Sequence, residues 1–135
     1  MTTLHEDQIR DMLLRWYDQF DEHSPSAQFE ELLAPEGLMI DLPPAPTQSI
    51  AAFRDWYEAN NHKFFDGKHT LGPMDIRIAG DTADVRIDMN WTVRTWTPPE
   101  PRSTQLSLDM TAEIGIIAHP NTGRPVVQTY RAIDR

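Results

Sequence analysis

The 135-residue chain contains no cysteine. Disulfides, thiolate nucleophiles and cysteine-held zinc or iron–sulfur centres are therefore excluded. Basic residues are scarce, 12 Lys and Arg against 21 Asp and Glu, for a net charge of -9. Such a field repels phosphate backbones and anionic lipid, so neither nucleic acid nor a membrane is an expected partner. No apolar run nears membrane-spanning length, and residues 1–7 carry neither a basic nor an apolar export-signal stretch, which predicts a cytoplasmic protein. The six glycines form no phosphate loop, nucleophile elbow or dinucleotide fingerprint, so no cofactor is expected. His5, His23, His62, His69 and His119 never form a close pair, and no metal site is expected either.

What is present suits a folded globular chain, with 39% hydrophobic and 24% charged residues. The length predicts one domain, residues 1–135. Ile9, Met12, Leu13, Trp16, Tyr17 and Phe20 recur at three- and four-residue intervals, predicting an amphipathic helix from about Leu4 to Phe20. A short second helix, with Phe29, Leu32 and Leu33 on one face, follows the break at Ser24-Pro25-Ser26. Acidic residues crowd this region (Glu6, Asp7, Asp11, Asp18, Asp21, Glu22, Glu30, Glu31) and read as a solvated outer face. Leu38–Leu42 predicts a short buried strand stopped by prolines, with Asp41 at its exit. A third helix, from about Thr47 to Lys63, would place Ile50, Phe53, Trp56 and Tyr57 on one face, with Thr47 or Ser49 as its cap.

Beyond Asp66 the periodicity changes from helical to alternating. Met74, Ile76 and Ile78 alternate up to the turn at Gly80-Asp81, and Ala83, Val85, Ile87, Met89, Trp91 and Val93 alternate with polar partners after it. A proline-rich connection separates these from a third alternating run, Leu106 to Ile116, and the turn at 119–123 leads to a last strand, Val126 to Ile133. Helix, helix, strand, helix and four antiparallel strands make an α+β architecture with helices on one face of a bent sheet.

That order resembles the nuclear transport factor 2-like superfamily, which includes ketosteroid isomerases, SnoaL-like polyketide cyclases, limonene epoxide hydrolases and scytalone dehydratase. The resemblance rests on Trp16-Tyr17-Asp18-Gln19-Phe20, the passage from Leu32-Leu33-Ala34-Pro35 to Met39-Ile40-Asp41, Ile50-Ala51-Ala52-Phe53, Gly80-Asp81-Thr82-Ala83-Asp84-Val85 and Tyr130-Arg131-Ala132. It implies a cone-shaped, curved, mostly antiparallel sheet with three N-terminal helices enclosing an apolar pocket, usually in a homodimer. An interface on the outer sheet face is expected, because Thr92, Trp96, Thr111 and Ile117 interrupt its charge.

Against the isomerases, Asp41 falls at the position of the catalytic base, where a desolvated carboxylate suits proton transfer. Trp16 aligns where that family has a tyrosine, and Tyr17 lies one residue, about 100°, further round the helix. Asp109 lies in the strand of the third acid but on its polar face. Arg86 and Asp88 reproduce the spacing of the epoxide hydrolase pair on a polar strand face, while Ala132 stands where that family has an aspartate. His69, at the start of a long strand, is where dehydratase relatives carry a pocket histidine. The expected catalytic set is Asp41, Tyr17 and His69, with Trp16, Tyr57, Trp91, Gln128 and Tyr130 as ligand contacts; Gln128 enters because it shares the parity of Tyr130. The expected activity is isomerase, cyclase or dehydratase chemistry on a small, largely apolar carbonyl compound. The alternatives are a non-catalytic ligand-binding or accessory protein, and an epoxide hydrolase.

Overall fold

The computed structural model describes residues 3–43 and 45–134. Helix α1 covers Glu6–Glu22 and buries Ile9, Met12, Leu13, Trp16 and Tyr17, the stripe that the 3.6-residue period predicts. It ends with His23 in the left-handed region (φ 52°), where the His23 N–H donates to Phe20 O (3.3 Å) and the Ser24 N–H to Gln19 O (3.0 Å). Helix α2, Ala27–Glu30, is a single turn that drives Phe29 into the core. Helix α3, Ile50–Lys63, is capped by Ser49, whose hydroxyl accepts from the Ala52 N–H at 3.0 Å. Strand β2 follows it without a loop. No described helix is long and apolar enough to cross a membrane.

Strands β1 (Met39–Asp41), β2 (Phe64–Ala79), β3 (Thr82–Thr95), β4 (Thr104–Ala118) and β5 (Pro125–Asp134) form one sheet in the order β1-β5-β4-β3-β2. The pairings are antiparallel except β1 with β5, which is parallel and sets Ile40 beside Tyr130 and Asp41 beside Arg131. The result is the α+β fold of a curved, mixed sheet under N-terminal helices.

Alternation divides each strand between two environments. Ile40, Ala83, Val85, Ile87, Met89, Val93, Ala112, Ile114, Ile116, Val127 and Tyr130 are buried and form the core with the helices. Their neighbours face outward. There the register sets Asp75 opposite Arg86, Arg86 opposite Glu113, Glu113 opposite Arg131 and Arg131 opposite Asp41, a row of alternating sign across all five strands.

Strand β5 departs from simple alternation. Gly115 pairs with Thr129 but Ile116 pairs with Val127, so Gln128 is the extra residue of a β-bulge. Parity is lost across it. Val127 and Tyr130, three residues apart, both face inward.

Candidate active site

Four aromatic rings fill the space between the helices and the sheet. Trp16 meets Phe29 edge to face at 5.2 Å, lies 5.8 Å from Phe53 and stacks on Tyr130 at 5.7 Å. The roomy apolar cavity expected between α1, α3 and the sheet is thus occupied by side chains. Trp16 and Tyr57, expected as ligand contacts, belong to this packing. The Tyr57 hydroxyl donates to the Ser24 carbonyl and fastens α3 to the turn after α1. Burial raises the Tyr57 pKa, a hydrogen bond with Asn61 opposing the shift.

One turn further along α1 the polar groups begin. Tyr17 and Asp21, four residues apart, lie on the same side of the helix. The Tyr17 and Tyr130 hydroxyls are hydrogen-bonded at 2.8 Å in the buried interior. Burial raises the Tyr17 pKa well above its ordinary value, and the neighbouring Tyr130 adds to the shift. Burial likewise pushes Tyr130 up to about 12, with the Tyr17 hydrogen bond opposing it. Both phenols stay protonated at neutral pH. They can donate a hydrogen bond but cannot take a proton.

Beside Tyr17, at a ring distance of 5.0 Å, is His69 on β2. Asp21 holds it with both carboxylate oxygens: Oδ2 accepts from the His69 backbone N–H at 3.0 Å and Oδ1 lies 2.6 Å from Nδ1. A carboxylate only accepts, so Nδ1 carries the proton and Nε2 is left with its lone pair. The register pairs His69 with Trp91, and the two rings stack at 5.8 Å and 17°. Imidazole is therefore fixed in tautomer by Asp21 and in orientation by Tyr17 and Trp91.

His69 opens on a small cleft of about 20 Å³, room for a single water. Its walls come from the ends of α1 and α3 and from β2 and β3, and include His23, Asn60, Phe64, Gly67 and Trp91. A Cβ at Gly67 would lie 3.3 Å from Trp91 Nε1, so a larger residue there would require the indole to give by a few tenths of an ångström. A larger concavity of about 580 Å³ lies on the outer sheet face, lined by Asp75, Arg77, Asp84, Arg86, Glu113 and Arg131. It contains no histidine and lies across the sheet from the Asp21–His69 pair.

Of the residues expected at the site, the structure brings Tyr17, His69, Trp91 and Tyr130 together. Asp41 is not among them. Ile40 takes the inner position of β1, so the next residue must face outward, and Asp41 is exposed beside Arg131 rather than at a cavity mouth. Gln128 is displaced by the bulge, and its side-chain amide donates to Glu36 O at 3.3 Å, outside the core. Arg86 and Asp88 stand on the outer face, where Asp88 accepts from the Thr111 hydroxyl at 2.7 Å. Asp109, also outward, accepts from Asn90 at 3.0 Å.

The partner of His69 escaped the sequence reading. Asp21 sits in an acidic run that reads as solvated, yet its side chain is only 20% exposed. The signal was its spacing, one turn beyond Tyr17 on the inward stripe. His23 and Asn60, at two helix ends, carried no such signal.

Comparison with curated protein sequences returns no match. Among solved structures, the fold is similar to that of a nuclear transport factor 2-like superfamily protein from Salmonella enterica (TM-score 0.81, 16% identity, covering 95% of this chain and 89% of that one). It is also similar to a candidate scytalone dehydratase from Novosphingobium aromaticivorans (TM-score 0.80, 14% identity, 96% and 83% covered). A candidate dehydratase of the NTF2-like family from Streptomyces avermitilis is comparable (TM-score 0.81, 12% identity, 96% and 95% covered). The model of the SnoaL-like domain matches residues 1–111, which span the three helices, β1 to β3 and the first half of β4, and the chain belongs to that family.

Proposed function

We propose that this protein is a cofactor-independent acid–base enzyme of dehydratase type, acting on a small, largely apolar carbonyl compound. The observation that carries the proposal is the double grip of Asp21 on His69. It leaves Nε2 as the basic nitrogen of a ring that borders the cleft, and a histidine held in one tautomer suits removal of a proton from carbon next to a carbonyl. Asp21 stabilises the imidazolium that results. Tyr17, neutral and buried, supports the ring and excludes water from its far side. Two structural neighbours bear dehydratase names, which agrees with this chemistry. A screen of enolisable ketones, hydroxyketones and epoxides against wild type, His69→Asn and Asp21→Asn tests it. General base catalysis is expected to fall about 10²- to 10⁴-fold in His69→Asn. Full activity in that variant, or saturable binding of these compounds by wild type without turnover, overturns the assignment in favour of a binding protein.

The same proposal includes a homodimer through the outer sheet face. Its support is the row Asp75, Arg86, Glu113, Arg131 and Asp41. A second copy displaced by one strand brings the overlapping part of the two rows together with opposite charges facing, whereas an undisplaced copy sets like charges together.

A further inference from the structure

The borders of the sheet are protected unequally. β2, outermost on one side, steps out of register with β3 at residues 66–67 and again at 72–73, where Gly72-Pro73 stands, and it exposes Lys68 between the two steps. Bulges, proline and lysine are the devices that stop a sheet edge from accepting another strand. β1, outermost on the other side, is closed by Thr47, which exchanges both backbone hydrogen bonds with Ile40 at 2.9 Å. A further border lies inside the strand order. β4 begins at Thr104, but its pairing with β5 begins only at Met110, opposite Asp134. Residues 104–109 pair with β3 on one side and, among the described residues, have no neighbouring strand on the other. Here the register with β3 is unbroken, and there is neither proline nor lysine. Leu106 and Leu108 lie on the inner face, opposite Val93 and Trp91, and Leu108 is 38% exposed. Gln105, Ser107 and Asp109 lie on the outer face, where Gln105 Oε1 accepts from Arg94 at 3.3 Å and leaves the Gln105 amide N–H groups as donors.

We infer that this border of β4 pairs with the same border of a second copy, antiparallel about a two-fold axis through Ser107. The contact is separate from the outer-face association and does not rest on the catalytic reading. Its support is that the segment is complementary to itself. In this register Leu106 of each copy lies opposite Leu108 of the other on the apolar side, and the Gln105 amide of each lies opposite the Asp109 carboxylate of the other on the polar side. A register shifted by one residue turns the apolar side chains of one copy to the polar face of the other, and one centred on Asp109 sets the two carboxylates together. Pairing also covers Leu108, the register partner of the Trp91 that stacks on His69. Five residues from each chain make a small interface, so the expected dissociation constant is about 0.1–1 mM.

A chain without cysteine makes the test direct. Opposite residues of an antiparallel pair have Cα atoms about 4.5–5.5 Å apart, within disulfide range. Leu106→Cys and Leu108→Cys, one of them isotope-labelled, are mixed and mildly oxidised. Their inner-face position keeps an outer-face dimer from joining them. Ser107→Cys is oxidised alone, in wild-type and Arg86→Glu backgrounds, and Thr122→Cys, in the exposed turn after β4, measures chance collision. The mixed disulfide and the Ser107→Cys disulfide are expected to form at least about tenfold faster than that of Thr122→Cys, and the mixed pair faster than either leucine variant alone. Leu108→Lys added to Ser107→Cys should return the rate to that of the control, with Tm changed by less than about 3 °C. Wild-type mass in sedimentation should double between about 5 µM and about 500 µM. If Leu108→Lys fails to fold, the cross-linking pattern of the cysteine variants still decides. Oxidation of Ser107→Cys and the mixed pair at the control rate, or a mass that stays constant over that range, overturns the inference. A Ser107→Cys disulfide that is lost with Arg86→Glu, with no mixed disulfide, assigns the contact to the outer face and overturns it as well.

Discussion

The two faces of the sheet are built from the same strands by opposite rules. The inner face gathers Tyr130, Ile114, Val85 and Ile40 against the helices, and its few polar groups are tied in pairs. The outer face, one residue along each strand, carries Arg131, Glu113, Arg86 and Asp41 in a row of alternating charge. Tyr17 with Tyr130 and Asp21 with His69 each have an assigned partner and a fixed direction on the inside, which is what proton transfer needs. On the outside a polar side chain has several exposed neighbours and water, which suits solubility and association. Chemistry therefore follows facing rather than residue type, as two aspartates show: Asp21 on a helix binds a histidine inside, and Asp41 on a strand lies exposed in register with an arginine outside.

Exchanging function between those aspartates should give the largest contrast. Asp21→Asn is expected to lower turnover by about 10²-fold or more, because the amide can no longer hold His69 in one tautomer or stabilise its cation. Asp41→Asn should stay within about twofold of wild type, since a group facing away from the cleft does not touch the reacting atoms. Steady-state rates on any compound that the wild type turns over check both. Loss in Asp41→Asn would reverse the assignment of the two faces.

Stability should separate the faces next. Trp16→Ala removes the ring that Phe29, Phe53 and Tyr130 pack against, and a loss of about 3–5 kcal/mol is expected in urea denaturation. Arg86→Ala on the exposed row should change stability by no more than about 0.5 kcal/mol. Trp16→Phe is the finer probe. Among the described residues the buried Trp16 Nε1 has no hydrogen-bond partner, so the phenyl ring forfeits packing volume but no bond.

Alkaline pH should act on the inner face as well. Tyr130 ionises at about 12 in the fold and at about 10 in the unfolded chain, so its contribution is complete below pH 10 and is lost as pH rises toward 12. Tyr17 shifts in the same direction. Unfolding free energy measured between pH 9 and 11.5 should fall by roughly 2–3 kcal/mol across the range, and the Tyr17→Phe, Tyr130→Phe double variant should flatten that slope. The smallest effect concerns the outer row. Arg86→Glu should leave the protomer's stability within about 0.5 kcal/mol of wild type yet shift sedimentation toward monomer, and added salt should weaken the wild-type dimer similarly. A wild type that sediments as a monomer at micromolar concentration removes the dimer altogether.

The elements were legible because periodicity is local. Leu13 with Trp16 and Val85 with Ile87 declare a helix and a strand without reference to the rest of the chain, and Ser49 declares a cap three residues before the N–H that it binds. Parity carried further, and it placed Asp109 and Asp88 on the outer face. It failed where the chain inserts one residue, since nothing in Val126–Thr129 marks Gln128 as a bulge. It was not applied to Asp41, although Ile40 as the buried member of β1 already turns Asp41 outward. Asp21 was lost for a different reason. Its partner lies 48 residues away on another element, and no local pattern distinguishes an acid that faces solvent from one that faces a histidine.

The position of β5 has a consequence for how the molecule assembles. This strand lies between β1 and β4, and Val127 also exchanges backbone hydrogen bonds with Leu32 and Ala34. Chain synthesised early thus waits for chain synthesised late. A nascent polypeptide that has not reached Pro125 leaves β1 without its neighbour and Trp16 without the ring of Tyr130. On the ribosome, α1 and the β2–β3–β4 meander have local partners and can form at once, whereas final closure depends on contacts spanning most of the sequence. Emergence of β5, rather than of any earlier segment, is the event that lets the protein lock.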